Sequence, residues 1–163
     1  TMMPYMAPSA GHLRVLVADD DAIFVSLAEA CLLQSGHTVH SVRDGSEAIE
    51  ALNSEFHDVA LIDLSMPRID GFRLIALIRS TPRLEHLPII VMSIRTDAAA
   101  VEEAYRLGAD AFETKPVNWN FFSLKMQHIV RCSLTFAALK SELANYRRIA
   151  ASGGSSSQVT TKA

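Results

Sequence analysis

The stretch VLVADD, residues 15–20, joins a short apolar run to a pair of carboxylates. The same order of residue types recurs in VALID, residues 59–63, and Ser93 and Lys115 each follow a later strand-like run. If the runs form neighbouring parallel strands, their carboxyl ends meet at one edge of one sheet. That edge then carries three carboxylates, a hydroxyl and an ammonium. Together these groups can hold a divalent cation and accept a phosphoryl group.

Segments with helical spacing separate these runs. Gly36 and Gly108 stand where helix C-caps are expected, and the breaker-rich stretch 65–71 predicts a loop. Strands that alternate with helices imply right-handed βαβ units and a parallel sheet covered on both faces. The predicted fold is α/β, a doubly wound five-stranded parallel sheet. We predict strands at 14–18, 37–42, 58–62, 88–92 and 111–114, and helices at 22–35, 46–53, 72–79 and 97–107, with an elongated last helix after Pro116.

The bulk composition is that of a globular chain without an overall basic field. Its 163 residues are 49% hydrophobic and 20% charged, and the formal net charge is -3. We therefore expect no nucleic-acid partner. No apolar stretch approaches the roughly 20 residues of a membrane span, so we expect no membrane association. Residues 1–12 lack the charged region and apolar core of a secretory signal and are expected to form a disordered arm.

Neither cysteine is spaced as a metal ligand. Cys31 and Cys132 lie in apolar, helix-like patterns, so we expect both to be buried free thiols. Free thiols fit a reduced compartment, and the predicted location is cytoplasmic.

Three consecutive acids follow the first predicted strand. A strand-end aspartate is often only the N-cap of the next helix, and we assign that role to Asp21. Asp19 and Asp20 would repel each other and Asp63, so a positive charge should compensate them. Lys115 is one candidate and a divalent metal is the other. Oxygen ligands without a neighbouring His or Cys favour Mg²⁺ or Mn²⁺ over zinc. The alternative is that these acids are helix caps and solvated side chains.

These residue types suit phosphoryl transfer to a carboxylate, which depends mainly on positioning and charge neutralisation. A metal on Asp20 and Asp63 would bridge to the phosphoryl oxygens. Lys115 would neutralise another oxygen, and the Ser93 hydroxyl would donate to a third. Pro116 allows a cis peptide, which would aim Lys115 into the pocket.

Residues 14–131 resemble the receiver domain of two-component response regulators, of the chemotaxis-regulator type. The resemblance implies a flavodoxin-like receiver fold and a signalling switch rather than an enzyme. It also implies a phosphohistidine donor, on a histidine kinase or a histidine phosphotransfer protein. The motifs that carry the resemblance stand in the family's order: Asp19-Asp20, then Asp63 followed by Met66-Pro67 and Asp70-Gly71, then Ser93, then Phe112 with Lys115-Pro116.

The resemblance implies a role for each acid of the pocket. Asp63 is the implied phosphoacceptor. Asp20, Asp63 and the backbone carbonyl of Ser65 are the implied direct Mg²⁺ ligands. Asp19 is implied to act through metal-bound water.

Three further residues are implied to respond to the phosphoryl group. Lys115 pairs with it, the Ser93 hydroxyl turns toward it, and the Phe112 ring moves inward into the vacated space. Ser65 and Arg95 flank the path of attacking water, and neither is an acid or an amide that could orient it. We therefore expect slow loss of the phosphoryl group.

The last helix is longer than a covering helix needs to be. Residues 117–152 contain no Gly or Pro, so this helix could continue for about 34 residues, on the order of 50 Å. Covering the sheet takes only about three turns. We predict a parallel coiled-coil homodimer, and the alternative is an amphipathic helix folded back on its own domain. The heptad seam consists of Ile129, Cys132, Phe136, Leu139, Leu143, Tyr146 and Ala150.

These patterns divide the chain into an arm at 1–12, a receiver domain at 13–131, a helical extension at 132–151 and a flexible tail at 152–163. Such extensions resemble those that precede output modules, so a downstream output domain or protein is an expected partner. The leading hypothesis is a phosphoacceptor of a two-component phosphorelay that switches protein association. One alternative is a non-phosphorylated dimerisation module. Another is an aspartyl-phosphate hydrolase, which usually needs an acid where this chain has Ser65.

Overall fold

The computed structural model describes residues 11–153. Strands and helices alternate through this part of the chain, and each predicted element is present with its ends shifted by at most two residues. The predicted arm and tail fall almost wholly on residues 1–10 and 154–163, outside the described residues. The strands are β1 (Arg14–Ala18), β2 (Thr38–Val42), β3 (Val59–Ile62), β4 (Ile89–Ser93) and β5 (Ala111–Thr114). The helices are α1 (Ala22–Gln34), α2 (Gly45–Ser54), α3 (Gly71–Ser80), α4 (Ala98–Leu107) and α5 (Trp119–Gly153).

The five strands form one parallel sheet in the order β2-β1-β3-β4-β5. Val15 of β1 is in register with Val39 on one side and with Val59 on the other. The predicted doubly wound α/β fold is confirmed. Because the winding direction reverses at β1, the two strands that end in acids, β1 and β3, are neighbours.

Apolar side chains bury both faces of the sheet. Leu16 points into the core under α2, α3 and α4, and its neighbour Val17 points into the core under α1 and α5. Burying a side chain such as leucine or isoleucine contributes about 1.5–3 kcal/mol. The helices meet these cores through Ala48, Leu52, Leu74, Ile75, Ile78 and Ala104 on one face and through Leu32, Phe122, Met126 and Val130 on the other.

Aspartate begins each of the first four helices. The Asp21 side chain accepts two backbone N–H groups in the first turn of α1, which confirms its predicted capping role. Capping therefore does not explain Asp19 and Asp20. At the end of α4, Gly108 has a φ of 115°, a left-handed conformation that favours glycine. The other three helices are capped by Asp44, Asp70 and Asp97.

The helix α5 is continuous over 35 residues. Its first half packs on the sheet through Phe122, Met126 and Val130, which are almost fully buried. The alternative of a helix folded back on its own domain is wrong, because the later large apolar side chains are 50–71% exposed. Neither α5 nor any other helix within residues 11–153 combines the length and the apolar character of a bilayer span. The large apolar side chains that are exposed on the later part of α5 form what we call the distal seam: Phe136, Leu139, Leu143, Tyr146 and Ile149.

The cysteines are more exposed than expected. Cys31 is half-buried, Cys132 is exposed, and both thiols are free. The expectation of two buried thiols is wrong for Cys132 because this residue lies where α5 is leaving the sheet. Cys31 lies on α1 at the margin of the face that packs on the domain.

Candidate functional site

The three predicted acids converge at the carboxyl edge of the sheet. Asp19 and Asp20 follow β1 and Asp63 follows β3, and these two strands are paired. Each carboxylate offers an oxygen, and the three oxygens lie within 4.8 Å of one another. Asp19 and Asp63 are buried, whereas Asp20 is exposed. A set of carboxylate oxygens at this spacing fits a hard divalent cation such as Mg²⁺.

Lys115 brings a positive charge to these acids from the end of β5. Its Nζ donates to Oδ2 of Asp19 at 2.6 Å and lies 3.8 Å from Oδ1 of Asp63. Only 11% of the lysine side chain is exposed, so salt and water screen this interaction weakly. The peptide bond between Lys115 and Pro116 is cis. The ammonium is therefore shared by two acids, with the shorter contact to Asp19.

Backbone groups hold both partners of this ion pair. The N–H of Lys115 donates to the carbonyl of Ser93 at 2.9 Å. The other carboxylate oxygen of Asp19, Oδ1, accepts the N–H of Asp21 at 2.9 Å. Both oxygens of Asp19 thus have a donor, which orients this carboxylate within the cluster.

The environment of Asp63 makes its negative charge costly. Burial is the largest cause, and it raises the pKa of Asp63 to about 6. The charges of Asp19 and Asp20 also raise this pKa, while Lys115 and the backbone N–H of Ser65 lower it. At pH 7 the carboxylate is still mostly ionised. It is a desolvated anion that gains stability from any additional positive charge.

The loop after β3 returns close to Asp63 and needs glycine at its end. The N–H of Gly71 donates to the carbonyl of Leu64 at 3.0 Å. A Cβ at position 71 would collide with the carbonyl oxygen of Asp63 and would lie 2.7 Å from Cα of Leu64. The missing side chain therefore lets α3 start directly against the backbone of Asp63.

The two predicted switch residues and Ser65 surround the acids at different depths. Ser93 is fully buried, and its Oγ accepts the N–H of Arg95 at 3.1 Å. Phe112 is half-buried and packs against the core under α2, α3 and α4. Ser65, whose carbonyl is the implied metal ligand, is exposed two residues after Asp63.

An aromatic contact to Lys115 was missed by the sequence reasoning. The Lys115 Nζ lies 4.0 Å from the centroid of the Phe24 ring on α1. Phe24 packs against Trp119 with ring centroids 5.8 Å apart, and Trp119 packs against Phe122 with ring centroids 5.4 Å apart. A cation over an aromatic face gains about 0.5–2 kcal/mol, so Phe24 helps to hold the ammonium. The sequence offered no signal for this contact beyond an aromatic residue one turn into α1.

Residues 15–124 match the family model described as the response regulator receiver domain. The chain belongs to this family. The match covers all but the first residue of the five strands together with the start of α5, and it contains the acid, serine and lysine motifs. The predicted resemblance and the flavodoxin-like receiver fold are thereby confirmed. Proteins with this domain are mainly signalling switches of two-component systems.

Known relatives align with two thirds or more of the chain. The chain is 35% identical over 109 residues to the gliding motility regulatory protein of Myxococcus xanthus. This alignment covers 67% of the chain and 14% of that protein. The chain is 34% identical over 119 residues to the virulence transcriptional regulatory protein PhoP of Salmonella typhimurium. This alignment covers 73% of the chain and 52% of that protein. The chain thus spans from about a seventh to about half of the length of these relatives.

A solved receiver structure has the same fold. The phosphorylated cyanobacterial phytochrome response regulator RcpA matches with a TM-score of 0.63 and 27% sequence identity. The match covers 77% of this chain and 96% of that chain.

Proposed function

We propose that this receiver takes a phosphoryl group from a phosphohistidine onto Asp63, and that phosphorylation changes the association of the protein. The donor is a histidine kinase or a histidine phosphotransfer protein. The observation that carries this proposal is the position of the Lys115 Nζ, 2.6 Å from Asp19 and 3.8 Å from Asp63. A buried cation between two acids is suited to the negative charge that a phosphoryl group adds.

The transfer makes one bond and breaks another. An oxygen of Asp63 attacks phosphorus, the P–N bond to the donor imidazole breaks, and the imidazole nitrogen takes a proton from water. The main obstacle is the approach of an anionic group to an anionic nucleophile. Lys115 reduces this repulsion, and a small movement away from Asp19 would pair it with a phosphoryl oxygen.

The residues around Asp63 suit a magnesium ion. Asp20, Asp63 and the backbone carbonyl of Ser65 would hold Mg²⁺ directly, and Asp19 would hold it through water. The same oxygen donors suit Mn²⁺. When bound, the ion supplies positive charge for the acids and for the phosphoryl oxygens.

Ser93 and Phe112 would carry the signal to the surface. The Ser93 hydroxyl accepts the N–H of Arg95, and its own proton can be donated to a phosphoryl oxygen. Such a bond would draw the loop after β4 toward Asp63. The half-buried Phe112 ring would gain apolar burial on moving inward. The surface formed by α4, β5 and α5 would change with it.

We further propose that the phosphoryl group is lost slowly. The guanidinium of Arg95 donates to Asp97 through two nitrogens, at 3.2 and 3.1 Å. Ser65, on the other side of the water path, is a weak choice for activating water. The same serine argues against the hydrolase alternative, because it cannot act as an acid that protonates a leaving group.

The output that we propose is the pairing of two parallel copies through the distal seam. Four of its residues, Phe136, Leu139, Leu143 and Tyr146, alternate at spacings of three and four, as in a heptad repeat. One chain leaves this seam in water, and a second copy would bury it. An output module that follows this helix would be a further partner, as the names of longer relatives suggest.

Phosphorylation can be tested with phosphoramidate as a small phosphoryl donor, in the presence of Mg²⁺, by intact-protein mass spectrometry. The wild type should gain one phosphoryl group and Asp63→Asn should gain none. Asp21→Asn is the matched control, because asparagine also caps helices and Asp21 lies beside the cluster. An unmodified wild type, or a modified Asp63→Asn, would contradict the proposal.

The output can be tested by light scattering with and without Mg²⁺ and beryllofluoride, a phosphoryl mimic. A change from monomer to dimer that Asp63→Asn lacks would support the switch. A dimer in both states would favour the non-phosphorylated dimerisation module. A monomer in both states would refute pairing through the distal seam.

A further inference from the structure

A second cluster of ligating side chains lies at the opposite edge of the sheet from Asp63. His40 lies in the middle of β2, Glu55 follows α2, and His57 precedes β3. Each offers a ligand atom, and the three atoms lie within 4.8 Å of one another. Since His57 and Asp63 flank the two ends of β3, the two clusters are separated by about 20 Å of extended chain at 3.3 Å per residue.

The distances within this histidine cluster resemble those between ligands of one metal ion. Nδ1 of His40 and Nε2 of His57 are 3.2 Å apart, and Nδ1 of His40 is 3.9 Å from Oε2 of Glu55. Ligands of a tetrahedral zinc ion lie about 3.3 Å from one another. The imidazole pair therefore already has this spacing. A single proton can serve only one of the two facing nitrogens, so at least one lone pair points into the gap.

The His57 ring is poorly satisfied by protein groups. Only 6% of the residue is exposed, and its buried Nδ1 makes no hydrogen bond of normal geometry among residues 11–153. The backbone of Glu55 is the polar group that lies against the ring. An unpaired buried polar atom destabilises the folded state. A metal ion at Nε2 would place the proton of the His57 ring on Nδ1, and Nδ1 would then be a donor.

The cluster is accessible to an ion from solvent. A cavity of about 530 Å³ borders His40, Glu55 and His57. The side chains of His40 and Glu55 are 39% and 54% exposed. Arg14 borders the same cavity, and its Nη2 is 3.7 Å from Oε2 of Glu55. This guanidinium is the charge that competes with a metal ion for the carboxylate.

We propose that His40, Glu55 and His57 form a binding site for a divalent transition-metal ion of the zinc type, with solvent as a fourth ligand. Two imidazoles and a carboxylate favour this class of ion, whereas the carboxylates around Asp63 favour Mg²⁺. The chain would then have two cation sites of different chemistry, one toward the amino ends of the strands and one at their carboxyl ends. A bound ion would join the edge strand β2 to the connection between α2 and β3 and stabilise this end of the domain.

The test is to titrate untagged protein with Zn²⁺ and with Co²⁺ in saturating Mg²⁺. Calorimetry and the visible spectrum of Co²⁺ report the binding. The wild type should bind one equivalent. His40→Gln and Glu55→Gln should each weaken binding at least about tenfold. Glu55 is exposed and His40 is partly exposed, so these variants should fold. His86→Gln is the matched control, because His86 is an exposed histidine whose Nε2 lies 3.3 Å from Oε1 of Glu85. The His86→Gln variant should bind the ion like the wild type.

Two further variants test whether the ion binds at the histidine cluster itself. Arg14→Gln removes the competing cation and should tighten binding about twofold to fivefold. His128→Gln removes an exposed histidine whose Nε2 lies 3.5 Å from Sγ of Cys132 on α5. A wild type that binds no Zn²⁺ overturns the site. So does binding that is lost in His128→Gln but kept in His40→Gln. Asp63→Asn should leave the Zn²⁺ stoichiometry unchanged, because the site does not depend on the phosphoacceptor pocket.

Discussion

The acidic pocket and the distal seam of α5 represent opposite conditions within one chain. In the pocket, Lys115 is 2.6 Å from Asp19 and 3.8 Å from Asp63, and all three groups are largely buried. In the distal seam, large apolar side chains are 50–71% exposed. The charges of the pocket find their partners inside the domain, whereas the apolar side chains of the seam do not. Charged groups can therefore be paired within one chain, while the exposed apolar side chains of the seam remain in contact with water.

The two regions are linked by the first half of α5. Lys115 lies over Phe24, and Phe24, Trp119 and Phe122 pack in sequence from the pocket to the buried face of α5. A change at the ammonium can therefore reach the helix that carries the seam through direct contacts. Matched substitutions at buried and at exposed positions test this difference, and the ionisation of Asp63 tests the pocket alone.

The largest expected effect on the rate of reaction comes from the lysines. Lys115→Gln should slow phosphoryl transfer from phosphoramidate by about tenfold to a hundredfold, because it removes the buried cation beside Asp63. Lys140→Gln, on the exposed part of α5, should leave the rate within about twofold. Stopped-flow measurement of tryptophan fluorescence, with Trp119 as the probe, or timed mass spectra would give both rates. Equal rates for the two variants would show that the ammonium is dispensable.

The phenylalanines of α5 provide the next pair. Phe122 is 1% exposed and Phe136 is 68% exposed on the same helix. Phe122→Ala should lower the free energy of unfolding by about 3–5 kcal/mol. Phe136→Ala should change the free energy of unfolding of the monomer by less than about 0.5 kcal/mol. This variant should weaken the proposed dimer instead. Urea denaturation at low protein concentration, together with light scattering, checks both. A large loss of monomer stability in Phe136→Ala would mean that the distal seam packs on its own domain.

The glycines that begin α3 and end α5 form a third pair. Gly71→Ala should lower the free energy of unfolding by about 1–3 kcal/mol, because the new Cβ meets the Asp63 carbonyl and Leu64. At Gly153 a Cβ would have no atom within 4 Å, so Gly153→Ala should have no cost. Denaturant midpoints measure the difference. A fully stable Gly71→Ala would refute the close approach of α3 to Asp63.

The smallest expected effect concerns the ionisation of Asp63. Its folded pKa of about 6 lies above the ordinary value of 3.8, so the folded state binds more protons than the unfolded state between these values. Stability therefore falls as the pH rises through this window. Without metal, Asp63→Asn should be more stable than the wild type by about 1–2 kcal/mol at pH 7.5. The gain should disappear near pH 4.

Urea denaturation in EDTA at several pH values measures this difference. Added Mg²⁺ should stabilise the wild type and not Asp63→Asn, because the ion compensates the charge that the variant lacks. A variant that is less stable than the wild type at pH 7.5 would be inconsistent with a raised pKa.

The sequence was sufficient for the elements and for the residues of the pocket. Short apolar runs, glycine caps and a helical period are local signals, so each strand and helix was predicted to within two residues at its ends. The acids after β1 and β3 could be placed together because parallel strands end at one edge. The length of α5 also followed from the sequence, since no residue in it breaks a helix.

Contacts between distant residues could not be predicted in this way. Phe24 lies over Lys115 because α1 and the end of β5 meet on one face of the sheet. His40 and His57 are 3.2 Å apart although they belong to different elements and have no metal-binding spacing. The exposure of Cys132 depends on the point at which α5 leaves the sheet.

By itself, the sequence determined the fold class, the order of the elements and the set of charged groups at the carboxyl edge. These depend on hydrophobic period and on strand direction, which are encoded in neighbouring residues. The tertiary structure decided which acid holds the ammonium, how strongly burial raises the pKa of Asp63, and which side chains remain exposed. Distance and burial depend on how separate elements pack, and packing is a property of the whole chain.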